Sequence, residues 1–133
     1  MEKFKILIVE DDPFISEVIR INLACPEYAI ASAENGRVAI EMFSREIPDL
    51  VILDILMPEM DGWQVIEHIR KHPSLSHTKI LIESALLITP EILLKKNLSL
   101  NTMVLLKPFS LDELRSKVKT LLAKSSANTF AAD

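Results

Sequence analysis

Glycine is nearly absent from this chain: of 133 residues only Gly36 and Gly62 are glycine. Neither follows the first apolar run, so no glycine-rich loop stands where an α/β fold would cradle a cofactor phosphate. Cysteine is scarcer still. The single Cys25 cannot close an internal disulfide, which fits a reducing compartment. There is no excess of positive charge; the net charge is −4, which speaks against a general nucleic-acid partner, since phosphate binding draws on surplus lysine and arginine. No apolar run is long. The one after Met1-Glu2-Lys3 lasts only a few residues, too short for a signal peptide or a membrane span, and the expectation is a cytoplasmic protein without membrane contact.

What is present describes a folded domain. Hydrophobic residues make up 49% and charged residues 26% of the chain, a balance found in globular proteins and not in disordered ones. The length suits one domain with a substantial core. Composition shifts only at the end, where residues 124–133 are small, polar and aperiodic. The expected division is a domain over 1–123 and a flexible tail or linker over 124–133.

Strand and helix patterns alternate along the chain. Apolar runs at Lys5 to Val9, Tyr28 to Ala33, Leu50 to Leu53, Lys79 to Ile82 and Met103 to Leu106 read as strands. Between them lie helical patterns: Phe14, Val18 and Ile21 after Asp12-Pro13; Ala39, Met42 and Phe43 after Gly36; Val65, Ile66 and Ile69 after the turn signal Asp61-Gly62; and a short helix opening at Thr89-Pro90-Glu91. Ser110-x-x-Glu113 forms a capping box before a last helix with Leu111, Leu114, Val118 and Leu121 inward. Five βα units in this order predict right-handed crossovers and a doubly wound parallel sheet.

The chemistry collects at the strand ends. Ile6-Leu7-Ile8-Val9 runs into Glu10-Asp11-Asp12, and Leu50-Val51-Ile52-Leu53 runs into Asp54. If these strands are neighbours, the acids meet at the carboxyl edge, where open α/β sheets hold their ligands. Clustered carboxylates repel one another and need a cation, and an all-oxygen site suits Mg²⁺. The last strand delivers Lys107 before Pro108. Acids, a metal and a lysine at one edge make a place to receive a phosphoryl group. Each residue has a plainer reading: acids at a helix N-terminus, an aspartate at a strand end, a solvated lysine. Asp12 reads as an N-cap only, and their joint occurrence in this order favours the functional reading for the others. His68 and His72 share a helix face but lack acidic partners for a metal. Trp63 reads as packing and Cys25 as a small core or helix-end residue.

These motifs resemble the receiver domain of bacterial two-component response regulators, of the chemotaxis-regulator type. The resemblance rests on Val9-Glu10-Asp11-Asp12, on Leu53-Asp54-Ile55-Leu56-Met57-Pro58-Glu59-Met60-Asp61-Gly62, on Ser84-Ala85 and on Lys107-Pro108-Phe109, and covers roughly residues 4 to 122. It implies a flavodoxin-like five-stranded sheet in the order 2-1-3-4-5. It implies that Asp54 accepts a phosphoryl group from a sensor histidine kinase or a histidine phosphotransfer protein. Glu10, Asp11 and Asp54 would hold Mg²⁺ together with the backbone carbonyl of Leu56, Ser84 would follow the phosphoryl group, Lys107 would pair with it, and Lys107–Pro108 would be cis. The chain would then be a phosphorylation-controlled switch and not an enzyme beyond self-phosphorylation and slow self-dephosphorylation. Its partners would include a downstream protein or output domain and a phosphorylation-linked second copy. The family also implies that the side chains two after the acceptor and two after the hydroxyl residue place the hydrolytic water. Here they are Leu56 and Leu86, which cannot hydrogen-bond one.

Four departures stand out. Val104 replaces the common aromatic three before the lysine; residues 98–102 lack the usual Gly-Ala; Glu83 sets a charge beside Ser84; and Ala85 to Ile88 is apolar where such loops are usually polar. They motivate an alternative, a pseudo-receiver that binds a partner constitutively, against which the intact Asp54 and Lys107 argue. A flavodoxin-like cofactor binder is disfavoured by the acidic first loop.

Overall fold

The computed structural model describes residues 3–98 and 100–132, with side chains up to residue 123. Its elements alternate throughout: β1 (Phe4–Val9), α1 (Pro13–Leu23), β2 (Tyr28–Ala33), α2 (Gly36–Phe43), β3 (Leu50–Asp54), α3 (Gly62–Lys71), β4 (Lys79–Ser84), α4 (Pro90–Lys95), β5 (Thr102–Leu106) and α5 (Leu111–Ala132). The strands form one parallel sheet in the order β2-β1-β3-β4-β5, the order the resemblance implied.

The unbroken apolar runs have a simple cause: both faces of the sheet are covered. Successive residues of β1, β3 and β4 alternate between two cores. Leu7, Val9, Val51, Leu53, Ile80 and Ile82 join α2 and α3 in one. Ile6, Ile8, Leu50, Ile52 and Leu81 join α1 and α5 in the other. Burying each such side chain contributes roughly 1.5–3 kcal/mol.

The helix caps follow the sequence. Asp12 accepts the N–H groups of Phe14 and Ile15, and Asp61 and Gln64 close a capping box at the start of α3. At α5 the Glu113 N–H donates to Ser110 Oγ at 3.0 Å. The apolar face of α1 differs from the expectation. Phe14 and Ile21 are exposed, and Ile15, Ile19 and Leu23 pack on the sheet instead. Both stripes have helical spacing, and packing against the sheet decides which one is buried. Cys25 is exposed, not a core residue. The backbone of α5 continues past Lys124 to Ala132, where composition suggested a tail; alanine, a strong helix former, recurs there. Asp133 lies outside the described residues.

The missing glycine before β5 finds its physical counterpart in asparagine. Asn97 (φ 57°) ends α4 and Asn101 (φ 65°) precedes β5, both in the left-handed conformation for which glycine is usual. Asn101 Oδ1 also accepts from the buried Lys79 Nζ at 2.7 Å.

Gly62 is set by close packing and not by its own dihedral angles. A Cβ there would lie 2.6 Å from the carbonyl oxygen of Asp54 and 2.7 Å from Ile55 Cα. The helix start is thus pressed against the residue that ends β3. Gly62→Ala is expected to cost about 1–3 kcal/mol through overpacking, measured by urea denaturation; an unchanged midpoint would contradict this close approach.

Candidate functional site

The sheet register builds the site. Val9 pairs with Leu53, so Glu10 emerges beside Asp54. Asp54 pairs with Glu83 on β4, and Ser84 pairs with Leu106, the residue before Lys107. The Lys107 N–H extends the ladder by donating to the Ser84 carbonyl at 2.7 Å. The carboxyl ends of β1, β3, β4 and β5 therefore meet at one edge.

There the Lys107 ammonium stands among three buried carboxylates. Its Nζ lies 3.2 Å from Asp54 Oδ2, 3.3 Å from Glu10 Oε1 and 3.6 Å from Glu83 Oε1. Glu10, Asp54 and Glu83 are each 5% exposed or less. Asp54 is further fixed by the Leu56 N–H, which donates to Oδ1 at 3.1 Å. Ser84 is fully buried, and its Oγ accepts the Leu86 N–H at 2.9 Å, leaving the hydroxyl proton free to be donated elsewhere. Lys107–Pro108 is cis.

Carboxylate oxygens of Glu10, Asp54 and Glu83 lie within 4.8 Å of one another. An all-oxygen set of this kind fits a hard divalent cation such as Mg²⁺. Asp11 is exposed and stands outside this trio, but with Glu10 it lines an open cavity of about 450 Å³ between α1 and β2. That space suits an ion that keeps part of its water shell. Leu56, two residues after Asp54 in the loop, is 53% exposed.

The charges perturb one another. Burial, and then the neighbouring Glu83, push Glu10 up to about 9. Burial raises Glu83 too, although Glu10 and Lys107 oppose the rise. As two carboxylates the pair has no donor between them, and neither Glu83 oxygen accepts a hydrogen bond from any described residue. A proton held on Glu10 relieves the repulsion between the two. Burial pulls Lys107 down, but Glu83, Glu10 and Asp54 together outweigh it and hold the ammonium above its ordinary value.

The site therefore assembles Glu10, Asp54, Ser84 and Lys107 as the sequence suggested, leaves Asp11 at the rim, and adds Glu83. The signal for Glu83 was its position: a charge inside an apolar strand, one residue before the hydroxyl. The apolar loop divides. Ile88 is buried in the α2–α3 core, whereas Leu86 and Leu87 are 49% and 73% exposed. His68 and His72 stack on each other at 4.0 Å between ring centroids. Trp63 packs against the core beneath the Lys96 ammonium.

The model of the response regulator receiver domain family matches residues 6–119. The chain belongs to this family. It is 33% identical over 98% of its length to a Guillardia theta protein named "Probable transcriptional regulator ycf27", and 30% identical over 97% to the response regulator MprA of Mycolicibacterium vanbaalenii. It covers 50% and 54% of those relatives, so this receiver domain spans about half the length of the relatives it matches. Among solved structures, the chemotaxis protein CheY4 of Vibrio cholerae superposes with a TM-score of 0.79 at 25% identity, covering 90% of this chain and 98% of that one. The Francisella response regulator 1452 receiver domain gives 0.77 at 28%, covering 92% and 99%.

The raised Glu10 carboxyl makes stability depend on pH. Unfolded, it loses its proton near its ordinary 4.5; folded, it keeps it up to about 9. Its contribution is fully present below the lower value and is lost as pH rises across this window, because the folded state binds the extra proton. The melting temperature of the metal-free receiver domain should fall between about pH 5 and about pH 8, and Glu83→Gln should flatten the fall. A flat wild-type profile would contradict a protonated Glu10.

Proposed function

We propose that this receiver domain accepts a phosphoryl group on Asp54 from a phosphohistidine of a sensor kinase or phosphotransfer protein, in a reaction that needs Mg²⁺, and that it thereby acts as a signalling switch. The observation that carries this reading is the Asp54 carboxylate, fixed at the carboxyl edge of β3 by the Leu56 N–H and paired with Lys107 at 3.2 Å.

In the transfer an Asp54 oxygen forms a bond to phosphorus while the phosphorus–nitrogen bond of the donor breaks. The imidazole nitrogen keeps the bonding pair and takes up a proton. Position and charge neutralisation carry such steps, with little covalent work by the protein. Glu10, Asp11, Asp54 and the Leu56 carbonyl would hold the Mg²⁺, which would offset the repulsion between the incoming group and the acids. Lys107 supplies a second positive centre, and Ser84 has a hydroxyl proton to give to a phosphoryl oxygen. Intact Asp54 and Lys107 in mutual contact support this reading over a pseudo-receiver. A downstream partner or output domain, a phosphorylation-linked second copy and a cytoplasmic location belong to the same proposal.

Incubation with acetyl phosphate and Mg²⁺ should add one phosphate by intact mass. Asp54→Ala, or excess chelator, should abolish it. Full labelling in either case would refute the assignment.

Decay of that phosphate should be slow. Leu56 and Leu86, both about half exposed beside the site, can shield the phosphorus but cannot orient a water. Lost positioning slows a reaction. Leu56→Asn combined with Leu86→Glu should speed loss of the label by about tenfold, equivalent to about 1.4 kcal/mol of barrier. A double variant that decays no faster would show that these side chains do not set the lifetime.

A further inference from the structure

Glu83 is the one buried acid of this site that lies outside the receiver-domain motifs. It sits on β4 directly opposite Asp54 in the sheet register and one residue before Ser84. It is 1% exposed, and neither oxygen accepts a hydrogen bond from any described residue. The cation beside it is Lys107, at 3.6 Å. The same ammonium is 3.2 Å from Asp54. One lysine thus serves two buried carboxylates on adjacent strands.

The two demands conflict once Asp54 carries a phosphoryl group. That group brings further negative charge, and Lys107 is the cationic side chain placed to meet it. A lysine has a compact point charge on a flexible stem and can swing toward the new oxygens. Glu83 cannot follow, because its backbone is locked between β3 and β5. It is left as a buried carboxylate without its cation, a strongly unfavourable condition. With Glu83 apolar, Lys107 would have one fewer competitor and no charge would be stranded.

We propose that Glu83 is a positioning residue that holds Lys107 back from the phosphoryl group and so biases this receiver domain toward its unphosphorylated state. The proposal rests on Asp54 being the acceptor. It concerns the equilibrium between the two states, whereas Leu56 and Leu86 concern the rate of hydrolysis. The arrangement gives a switch that returns to rest when phosphate supply stops and a dedicated phosphatase or back-transfer is available.

The test uses beryllium fluoride as the phosphoryl analogue, with Mg²⁺, on the whole chain. Glu83→Gln should bind the analogue about tenfold more tightly than wild type, as expected for removing a like charge a few ångströms from the site. Glu83→Met, similar in volume and wholly apolar, should behave in the same direction and serves if the glutamine variant folds poorly. A second, metal-free readout reports on Lys107 itself: its rate of acylation by an amine-selective reagent, quantified by peptide mass, should rise severalfold in both variants. A merely structural Glu83 would leave that reactivity unchanged. Unaltered analogue affinity in both variants would overturn the proposal, as would tighter binding with unaltered Lys107 reactivity. Failure of wild type to bind the analogue at Asp54 would instead overturn the acceptor assignment.

Discussion

The contact between the Lys107 ammonium and the buried carboxylates of Glu10, Asp54 and Glu83 is the constraint around which this receiver domain is arranged. Three acids within a few ångströms, nearly shielded from water, would destabilise any fold that gathered them without compensation. The lysine offsets part of that repulsion and a proton on Glu10 offsets more. The remainder is negative charge at an open edge, which is the condition for attracting a divalent cation and, through it, a phosphoryl group. The two cores on either side of the sheet hold β1, β3, β4 and β5 in the register that places their ends together.

Much of this was readable from residue types. Strands covered on both faces must be apolar throughout, so Leu50 to Leu53 and Ile6 to Val9 announce themselves, and Asp54 and Glu10, which come next in the chain, lie at the carboxyl edge by necessity. Asp12 and Asp61 announce helix starts because their side chains satisfy free N–H groups. The receiver-domain motifs then fixed Asp54 and Lys107, which the structure brings into contact.

Other features were not readable, for physical reasons. Helix α1 carries two stripes at helical spacing, and only the sheet decides which is buried. Periodicity therefore pointed to Phe14 and Ile21, while Ile19 and Leu23 do the packing. Gly62 looks like a turn residue by its neighbour Asp61, yet its role is to let α3 approach the Asp54 backbone. Residues 98–102 lack the glycine usual before β5, and nothing in the composition showed that Asn97 and Asn101 would adopt the left-handed conformation. Glu83 registered only as an oddity of composition. Its consequence depends on a cross-strand partner, and pairing between β3 and β4 is set by the whole sheet and not by either strand alone.

The central claim is that Asp54, among all the acids of this edge, takes the phosphoryl group. Borohydride reduces an acyl phosphate to an alcohol and so converts a phosphorylated aspartate into homoserine. Reduction of the protein after phosphoryl transfer, combined with peptide sequencing, should find homoserine at position 54 and at no other. Homoserine at position 11 or 12, or its absence in labelled protein, would contradict this account.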